Sequence, residues 1–191
     1  LDTASYWTPA LVDAEFEPIE PITSVAYNRA GIDVEPPTRV AVAAGLMMVA
    51  GANAATQPKP LSIVSSRCGN GAPRTTPPAD CTGTESLRIT VTFPDCWNGI
   101  EVRSPFVPDP SSHVAYSSAG ECPPSHPVAI PQLQFAVDYP PVPAVELERL
   151  ALSSGNILGG HADFWNVWHQ SKLEREVEAC IRRDLACGLG S

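Results

Sequence analysis

The clearest pattern in the chain is the alternation of apolar and polar residues in two short segments. Every second residue is apolar over 86–93, and the same alternation returns over 132–139. The residues expected to face inward are Leu87, Ile89, Val91 and Phe93, then Leu133, Phe135, Val137 and Tyr139. Because successive side chains of a strand point to opposite faces, this pattern predicts strands with one buried and one wet face, as in antiparallel sheets.

Other parts of the chain carry weaker strand signals. Residues 24–27 and 145–152 are further strand candidates, and the apolar run 40–49 is either a buried strand or a short core helix. The 21 prolines break up the segments between them, so the elements must be short. We predict a mainly β chain, an antiparallel β-sandwich-like single domain over residues 1–191 with long loops stapled by disulfides.

The end of the chain has a helical period instead. Apolar residues recur with helical spacing at Leu173, Val177, Cys180, Ile181 and Leu185. Ser171 and Glu174 have the spacing of a capping box, and Gly188 stands where a helix stop is expected. One amphipathic C-terminal helix is therefore predicted from about residue 172 to 186.

Charge excludes two classes of partner. The chain has 12 basic and 21 acidic residues, a formal net charge of -9. Such a field repels phosphate backbones and anionic lipid, so we expect neither nucleic acid nor a membrane as partner. The longest apolar run, 40–50, is too short to span a bilayer.

The cysteine pattern indicates an oxidising compartment. The six cysteines are Cys68, Cys81, Cys96, Cys122, Cys180 and Cys187, with no CxxC pair. An even number without that motif favours disulfides over a zinc or redox site, and so predicts a secreted, extracellular protein. The first two cysteines would close a local loop, as would the next two. The last two would lie about 10 Å apart on a continuous helix and can pair only if the helix breaks.

The segment His161-Ala162-Asp163 is the leading candidate for chemistry. In an extended strand its imidazole and carboxylate face the same side, as an oriented acid–base pair or as two metal ligands. Gly159 and Gly160 before it permit close backbone approach. The structural alternative is that Asp163 caps a turn and His161 hydrogen-bonds to backbone.

Two further histidines are candidates. His113 follows two serines in a strand-like segment, and its alternative is a structural or surface role. His126 lies among prolines close to Cys122, where a rigid loop can carry a binding residue or simply pack. His169 is assigned no role.

Aromatic residues suggest a sugar-stacking platform, because their faces suit the apolar faces of pyranose rings. The candidates are Trp7, Trp97, Trp165 and Trp168 with Tyr6, Tyr27 and Tyr116. Core packing is the alternative fate of large aromatics. The sequence contains no nucleophile elbow, P-loop, dinucleotide fingerprint or HExxH motif, which argues against the common hydrolase, nucleotide-binding and zinc-protease classes.

Several motifs recur together in one known family. They are DTASYWTPAL at 2–11, the aliphatic segment ending at Gly51, LRITVTFPDCWNG at 87–99, SHVAY at 112–116, CPPSHPVAIPQL at 122–133 and SSGNILGGHADFWNVW at 153–168. In order and spacing they resemble a secreted domain of unknown function found in fungi and actinobacteria. Some fungal members carry a WSC domain, a module linked to carbohydrate binding, so the resemblance implies a carbohydrate context.

The chain departs from the family pattern at three places. Asn98 follows the Cys-Trp pair where the family has Asp, and Pro110 follows Asp109 where the family has His. The family also begins further upstream, with a stretch containing two closely spaced histidines. We therefore expect this chain to be a processed product or fragment that lacks an N-terminal segment of the family.

These observations lead to one leading hypothesis and two alternatives. The leading one is a secreted enzyme, a glycoside hydrolase or polysaccharide lyase acting on a polysaccharide or cell-wall glycan. Its assigned residues are His161, Asp163 and His113 for catalysis, and His126, Trp97, Trp165 and Tyr116 for substrate binding. The alternatives are a non-catalytic wall- or glycan-binding module and a His/Asp metal-binding protein. No residue is assigned as a metal ligand and no cofactor is named.

A geometric criterion separates these hypotheses. Convergence of His113, His161 and Asp163 to within about 4 Å favours an enzyme or a metal site. An exposed row of aromatic residues with scattered histidines favours a binding module.

Overall fold

The computed structural model describes residues 3–30, 38–81, 83, 86–106, 109–143, 148–185 and 187. Their strands are β1 (Ser5–Trp7), β2 (Leu11–Val12), β3 (Thr23–Arg29), β4 (Met47–Gly51), β5 (Val64–Cys68), β6 (Leu87–Thr92), β7 (Cys96–Trp97), β8 (Val114–Ala115), β9 (Val128–Ala129), β10 (Gln132–Tyr139), β11 (Ala151–Leu152), β12 (Gly155–Asn156) and β13 (His161–Trp165). The helix α1 (Gln170–Ala179) follows, and short 3-10 turns occupy Ile157–Gly159 and Ile181–Arg183.

The strands form antiparallel sheets of different size. A four-stranded sheet has the order β3-β10-β6-β5, and a three-stranded sheet has the order β1-β13-β4. Two smaller sheets have the orders β12-β11-β2 and β8-β7-β9. All of their recorded pairings are antiparallel, so the predicted mainly β, antiparallel class is confirmed.

Aromatic side chains fill the space between the two larger sheets. Tyr6 of β1 stacks on Phe135 of β10 with ring centroids 5.7 Å apart. Phe164 of β13 meets Phe93, just after β6, edge to face at 6.2 Å. Apolar faces of two sheets packed in this way make a sandwich-like core. The opposite, outer face of β1-β13-β4 is therefore turned away from this core.

Alternation located the central strands well. The predicted strands 86–93, 132–139 and 24–27 correspond to β6, β10 and β3. The expected wet face of β10 is wrong, however, because residues on both of its faces are buried. Asp138 on its polar side is paired with Arg88, with N–O distances of 2.7 and 2.6 Å.

Two other strand predictions hold only in part. For 40–49 either a buried strand or a short core helix was predicted. Residues 40–46 are irregular, and a strand begins at Met47 and continues to Gly51. Residues 145–147 of the candidate 145–152 lie outside the described residues, and in the rest only Ala151–Leu152 is a strand.

The C-terminal helix is shorter than predicted. It begins at Gln170 with His169 as N-cap and no side-chain cap, so the predicted capping box is wrong. It ends at Ala179 rather than near 186, and Asp184 adopts a left-handed conformation with φ 52°. This break brings the Cα atoms of Cys180 and Cys187 to 5.9 Å, so that the two can pair. The expected stop at Gly188 lies outside the described residues.

All six cysteines are paired. The bonds are Cys68–Cys81, Cys96–Cys122 and Cys180–Cys187, and the first two close the predicted local loops. In the described ranges, no helix has the length and apolar character that a membrane crossing requires.

Candidate functional site

The outer face of the β1-β13-β4 sheet brings three of the predicted site residues together. Ala162 and Phe164 of β13 are buried toward the core, and alternation places His161, Asp163 and Trp165 on the other face. β13 is the central strand, and Trp7 of β1 lies directly opposite Asp163 in the register. We call this surface, formed by the outward side chains of these three strands, the outer face.

Two tryptophans stand out from the outer face. Trp7 is 51% exposed and Trp165 is 48% exposed. Directly opposed residues in antiparallel strands have Cβ atoms about 5 Å apart, and diagonal neighbours about 7–8 Å. Both indoles are therefore within reach of a ligand that also touches Asp163. The ring of His161 adds to the group, with its centroid 5.6 Å from that of Trp7.

Glycines set the position of His161 at the start of β13. Gly51 has φ +80°, and a Cβ there would collide with the carbonyl oxygen of Gly160. A Cβ on Gly159 would come within 2.6 Å of the carbonyl oxygen of Asn53. The close backbone approach predicted for Gly159 and Gly160 is therefore confirmed, and it lets the loop before His161 pack against the end of β4.

The hydrogen bonds of His161 fix which of its nitrogens is basic. Nδ1 donates to the carbonyl of Gly159 at 2.7 Å, since a carbonyl can only accept. The proton then resides on Nδ1, and Nε2 carries the lone pair that can take up another proton. The carbonyl of His161 accepts from the Thr8 hydroxyl at 2.9 Å, which ties the segment after β1 to this end of β13.

Asp163 is an unusual carboxylate. It is partly buried, and burial raises its pKa, while the nearby charge of His161 opposes that rise. Within the described part of the chain its oxygens accept no hydrogen bond and make no ion pair. It is also the one Asp, Glu, Lys or Arg in β1, β4 and β13. A carboxylate held in this way is available to a ligand or to proton transfer.

The cavity that borders the start of β13 is too small for a glycan. Gly160 and His161 border a small, mostly apolar cavity between the sheets, together with Thr8, Val91 and Phe135. Its volume of 10 Å³ is about the space of one water molecule. The open outer face is the better candidate for a ligand.

His113 does not join this group. Its Nε2 donates to the carbonyl of Met47 at 2.6 Å, and burial lowers the pKa of its ring. His161 is paired with Gly51 at the other end of β4, and four residues of strand span about 13 Å. The predicted catalytic trio of His113, His161 and Asp163 therefore does not converge.

The remaining predicted binding residues lie elsewhere. Trp97 packs against the core and its indole NH donates to the carbonyl of Glu101 at 2.6 Å. The Tyr116 hydroxyl donates to the carbonyl of Thr92 at 2.8 Å, and burial raises its pKa. His126 donates from Nε2 to the carbonyl of Ser112 at 3.2 Å and accepts from the Ser125 hydroxyl at 2.9 Å. These contacts hold loops together and do not add to the outer face.

Sequence reasoning missed a buried ion pair. Arg39 and Asp95 are both fully buried, with a guanidinium–carboxylate distance of 3.1 Å. Asp95 also accepts from the Ser117 backbone NH and hydroxyl, each at 2.8 Å. Arg39 donates further to the carbonyls of Asp95 at 3.1 Å and Ala30 at 2.5 Å. We call this group, centred on Arg39 and Asp95, the buried pair.

Metal binding gains no support from the described residues. No group of three or more His, Cys, Asp or Glu side chains in them could hold a metal ion. His161 and Asp163 alone offer two ligands, fewer than a structural or catalytic site needs.

The chain belongs to the family described as Domain of unknown function (DUF1996), whose model matches residues 1–168. This match contains the whole outer face and the buried pair. Comparison with curated proteins and with solved structures gives no significant match.

Proposed function

We propose that this chain is a carbohydrate-binding protein whose outer face takes a polysaccharide or cell-wall glycan. Trp7 and Trp165 would stack on sugar rings, and Asp163 would accept hydrogen bonds from sugar hydroxyls. The observation that carries this proposal is the pairing of two half-exposed indoles with an unpartnered carboxylate on one sheet face. Soluble proteins bury most of their tryptophan, so two exposed neighbours favour a binding surface over packing.

The geometry moves this proposal ahead of the enzyme hypothesis. His113 contacts Met47 at the start of β4, whereas His161 is paired with Gly51 at its end, so the predicted catalytic residues do not come together. Most glycoside hydrolases need a pair of carboxyl groups, about 5–9.5 Å apart, across the scissile bond. Asp163 is the single carboxylate among the residues of β1, β4 and β13.

A second candidate function uses the same face. Asp163 with a raised pKa beside the basic Nε2 of His161 has the character of an acid–base pair. A glycoside hydrolase or polysaccharide lyase would use Asp163 to hold or deliver a proton and His161 to accept one. The two tryptophans would then hold the chain being cleaved.

We also propose that the protein works outside the cell. Three disulfides and no free cysteine support an oxidising compartment, where reduced thiols are not maintained. Wall and biomass glycans are available in that compartment, which agrees with the proposed ligand.

The test is affinity electrophoresis on a panel of fungal, plant and bacterial polysaccharides. We expect retardation by at least one, weakened about tenfold or more, ~1.4 kcal/mol, by Trp7→Ala or Trp165→Ala. Phe16→Ala is the matched control, because Phe16 is 75% exposed and belongs to none of these three strands. Equal retardation of all four proteins, or none of any, would contradict the proposal.

Mass spectrometry of the same mixtures separates binding from cleavage. New oligosaccharides made by the parent and lost in Asp163→Asn and His161→Ala would establish the enzyme. Retardation without products, retained in part by both variants, would establish the binding module.

A further inference from the structure

The chemistry of Asp163 narrows the ligand class further, provided that the outer face binds glycans as proposed. No residue of the described ranges forms an ion pair with this carboxylate, and β1, β4 and β13 contain no Lys or Arg. The charge of His161 favours the ionised carboxylate, but it does not offset the burial that raises the pKa of Asp163. A partly buried anion without a partner is unfavourable in the free protein. A ligand that brings a positive charge relieves that cost, whereas a second anion would add to it.

The surroundings of Asp163 are suited to a cation. Trp7 lies across from it on β1, Trp165 lies two residues along the same strand, and the His161 ring contacts Trp7. Aromatic faces attract ammonium groups through the ring quadrupole, and a nearby carboxylate adds a direct charge–charge attraction. Indoles beside one carboxylate are the elements of an aromatic cation site.

The net charge of the chain acts in the same direction. With a formal charge of -9, the protein attracts polycations and repels polymers that carry uronate, sulfate or phosphate. The charge of the whole molecule and the charge at the outer face therefore select the same sign of ligand.

We infer that the outer face selects glycans built of 2-amino sugars with free, protonated amines over their acetylated, neutral counterparts. One such sugar unit offers both features that the face requires, a rigid ring for an indole and an ammonium group for Asp163. A lysine-rich peptide offers the ammonium on a long flexible stem without the ring, so it satisfies only one of the two.

The experiment compares glucosamine oligomers with N-acetylglucosamine oligomers of the same length by calorimetry. We expect the parent protein to bind the free-amine oligomer at least tenfold more tightly at low salt. This preference should shrink in 0.5 M NaCl because salt screens the charge–charge attraction.

Two charge variants locate the preference. Asp163→Asn should bring the two affinities to within about twofold, because the free-amine oligomer loses a charge–charge attraction while the acetylated oligomer loses only a hydrogen bond. Glu174→Gln removes one negative charge from the exposed face of α1 and should keep the tenfold preference. Trp165→Ala should weaken both oligomers together, because stacking does not depend on the amine.

The preference for the free-amine oligomer should depend on pH, because both the Asp163 carboxyl and the sugar amine must be charged. Binding of the amine needs ionised Asp163, whose pKa is raised, so the preference should fall as the solution is acidified through that pKa. It should also fall at alkaline pH as the amine loses its proton. Asp163→Asn should abolish the acid limb and keep no selectivity at any pH.

Each contrary result has a separate meaning. Equal affinity for both oligomers, or binding only to other polysaccharides, with loss on Trp7→Ala, would overturn the amine selectivity and leave glycan binding intact. Binding of poly-lysine more tightly than the glucosamine oligomer would replace the glycan by a basic peptide. Absence of binding to every glycan would overturn both proposals.

Discussion

Two aspartates of this protein have opposite environments. Asp95 is fully buried, and its carboxylate is paired with Arg39 and held by the Ser117 NH and hydroxyl. Asp163 is only partly buried, yet within the described residues its carboxylate has no such partner. The more buried group is the better satisfied one, as the cost of burying an unpaired charge requires, and Asp163 is the exception that needs an explanation.

The difference separates a structural carboxylate from a functional one. A buried charge whose lone pairs are all used stabilises one arrangement of its neighbours and has nothing left for a ligand. A half-buried carboxylate without partners reduces stability and stays available, a combination that proteins retain at binding and active sites. On this basis we assign the buried pair to the stability of the fold and propose the outer face as the site of function.

The largest effect is expected from breaking the buried pair. Asp95→Asn leaves the Arg39 guanidinium buried without its counter-ion and should lower the free energy of unfolding by about 3–5 kcal/mol. Urea titration measures the change. Glu178→Gln, in the exposed pair with Arg182, is the control and should change it by less than about 1 kcal/mol. Equal effects of the two substitutions would show that the buried pair has no special role.

The disulfide beside the buried pair should come next. Cys96 follows Asp95 directly, and its bond to Cys122 spans 26 residues, against 7 for Cys180–Cys187. Because cross-links over longer loops restrict the unfolded chain more, we expect losses of about 3.5 and about 2.4 kcal/mol respectively. Paired Cys→Ser variants and urea unfolding test this order. A larger loss for Cys180–Cys187 would contradict it.

An Asp→Asn substitution at Asp163 should increase the stability of the fold, whereas the one at Asp95 decreases it. Burial raises the folded-state pKa of this carboxyl above its unfolded value, so the ionised form destabilises the fold. Asp163→Asn should therefore raise the Tm at neutral pH. The gain should vanish as the pH falls below the unfolded pKa, where Asp163 is protonated in both states. A lower Tm at pH 7 would mean that Asp163 has a stabilising partner.

The smallest effect on stability is expected from His113, which lies between the buried pair and the strands of the outer face. It precedes β8 and donates to Met47 of β4, and its Nδ1 is buried with no hydrogen-bond partner in the described structure. Burial lowers the pKa of His113 and prevails over the hydrogen bond to Met47 and the charges of Glu101 and Asp109, which raise it, while the charge of His126 lowers it further. Stability should therefore decline as the pH falls through about 6.5, the unfolded value, and more steeply than in His113→Gln. Identical pH profiles for the parent and the variant would rule out this linkage.

The sequence was most informative where the physical signal is local. Alternation identified β6 and β10 because the pleat repeats every two residues, and the even cysteine count identified the disulfides. The end of α1 was wrong because the Cys180–Cys187 bond overrides helical spacing.

The site itself was predicted only in part. His161 and Asp163 were predicted together because they stand two residues apart in an extended segment, whereas Trp165 was named only as one of the aromatic candidates. Trp7 was noticed as an aromatic residue, but its place opposite Asp163 depends on a pairing between the two ends of the matched domain. The Arg39–Asp95 contact joins residues 56 positions apart in the sequence, and no local sequence pattern predicts a contact at that separation.

The central claim is that a glycan binds to the outer face. Its most direct test is an NMR titration that follows the indole NH signals of the four tryptophans. The titrant is an oligomer of the polysaccharide that retards the protein in affinity electrophoresis. Glycan binding on the outer face predicts that the signals of Trp7 and Trp165 shift or broaden, while those of Trp97 and Trp168, which pack against the core, stay in place. Single Trp→Phe variants assign the four signals. Shifts confined to Trp97 and Trp168 would contradict the claim and place the ligand elsewhere on the molecule.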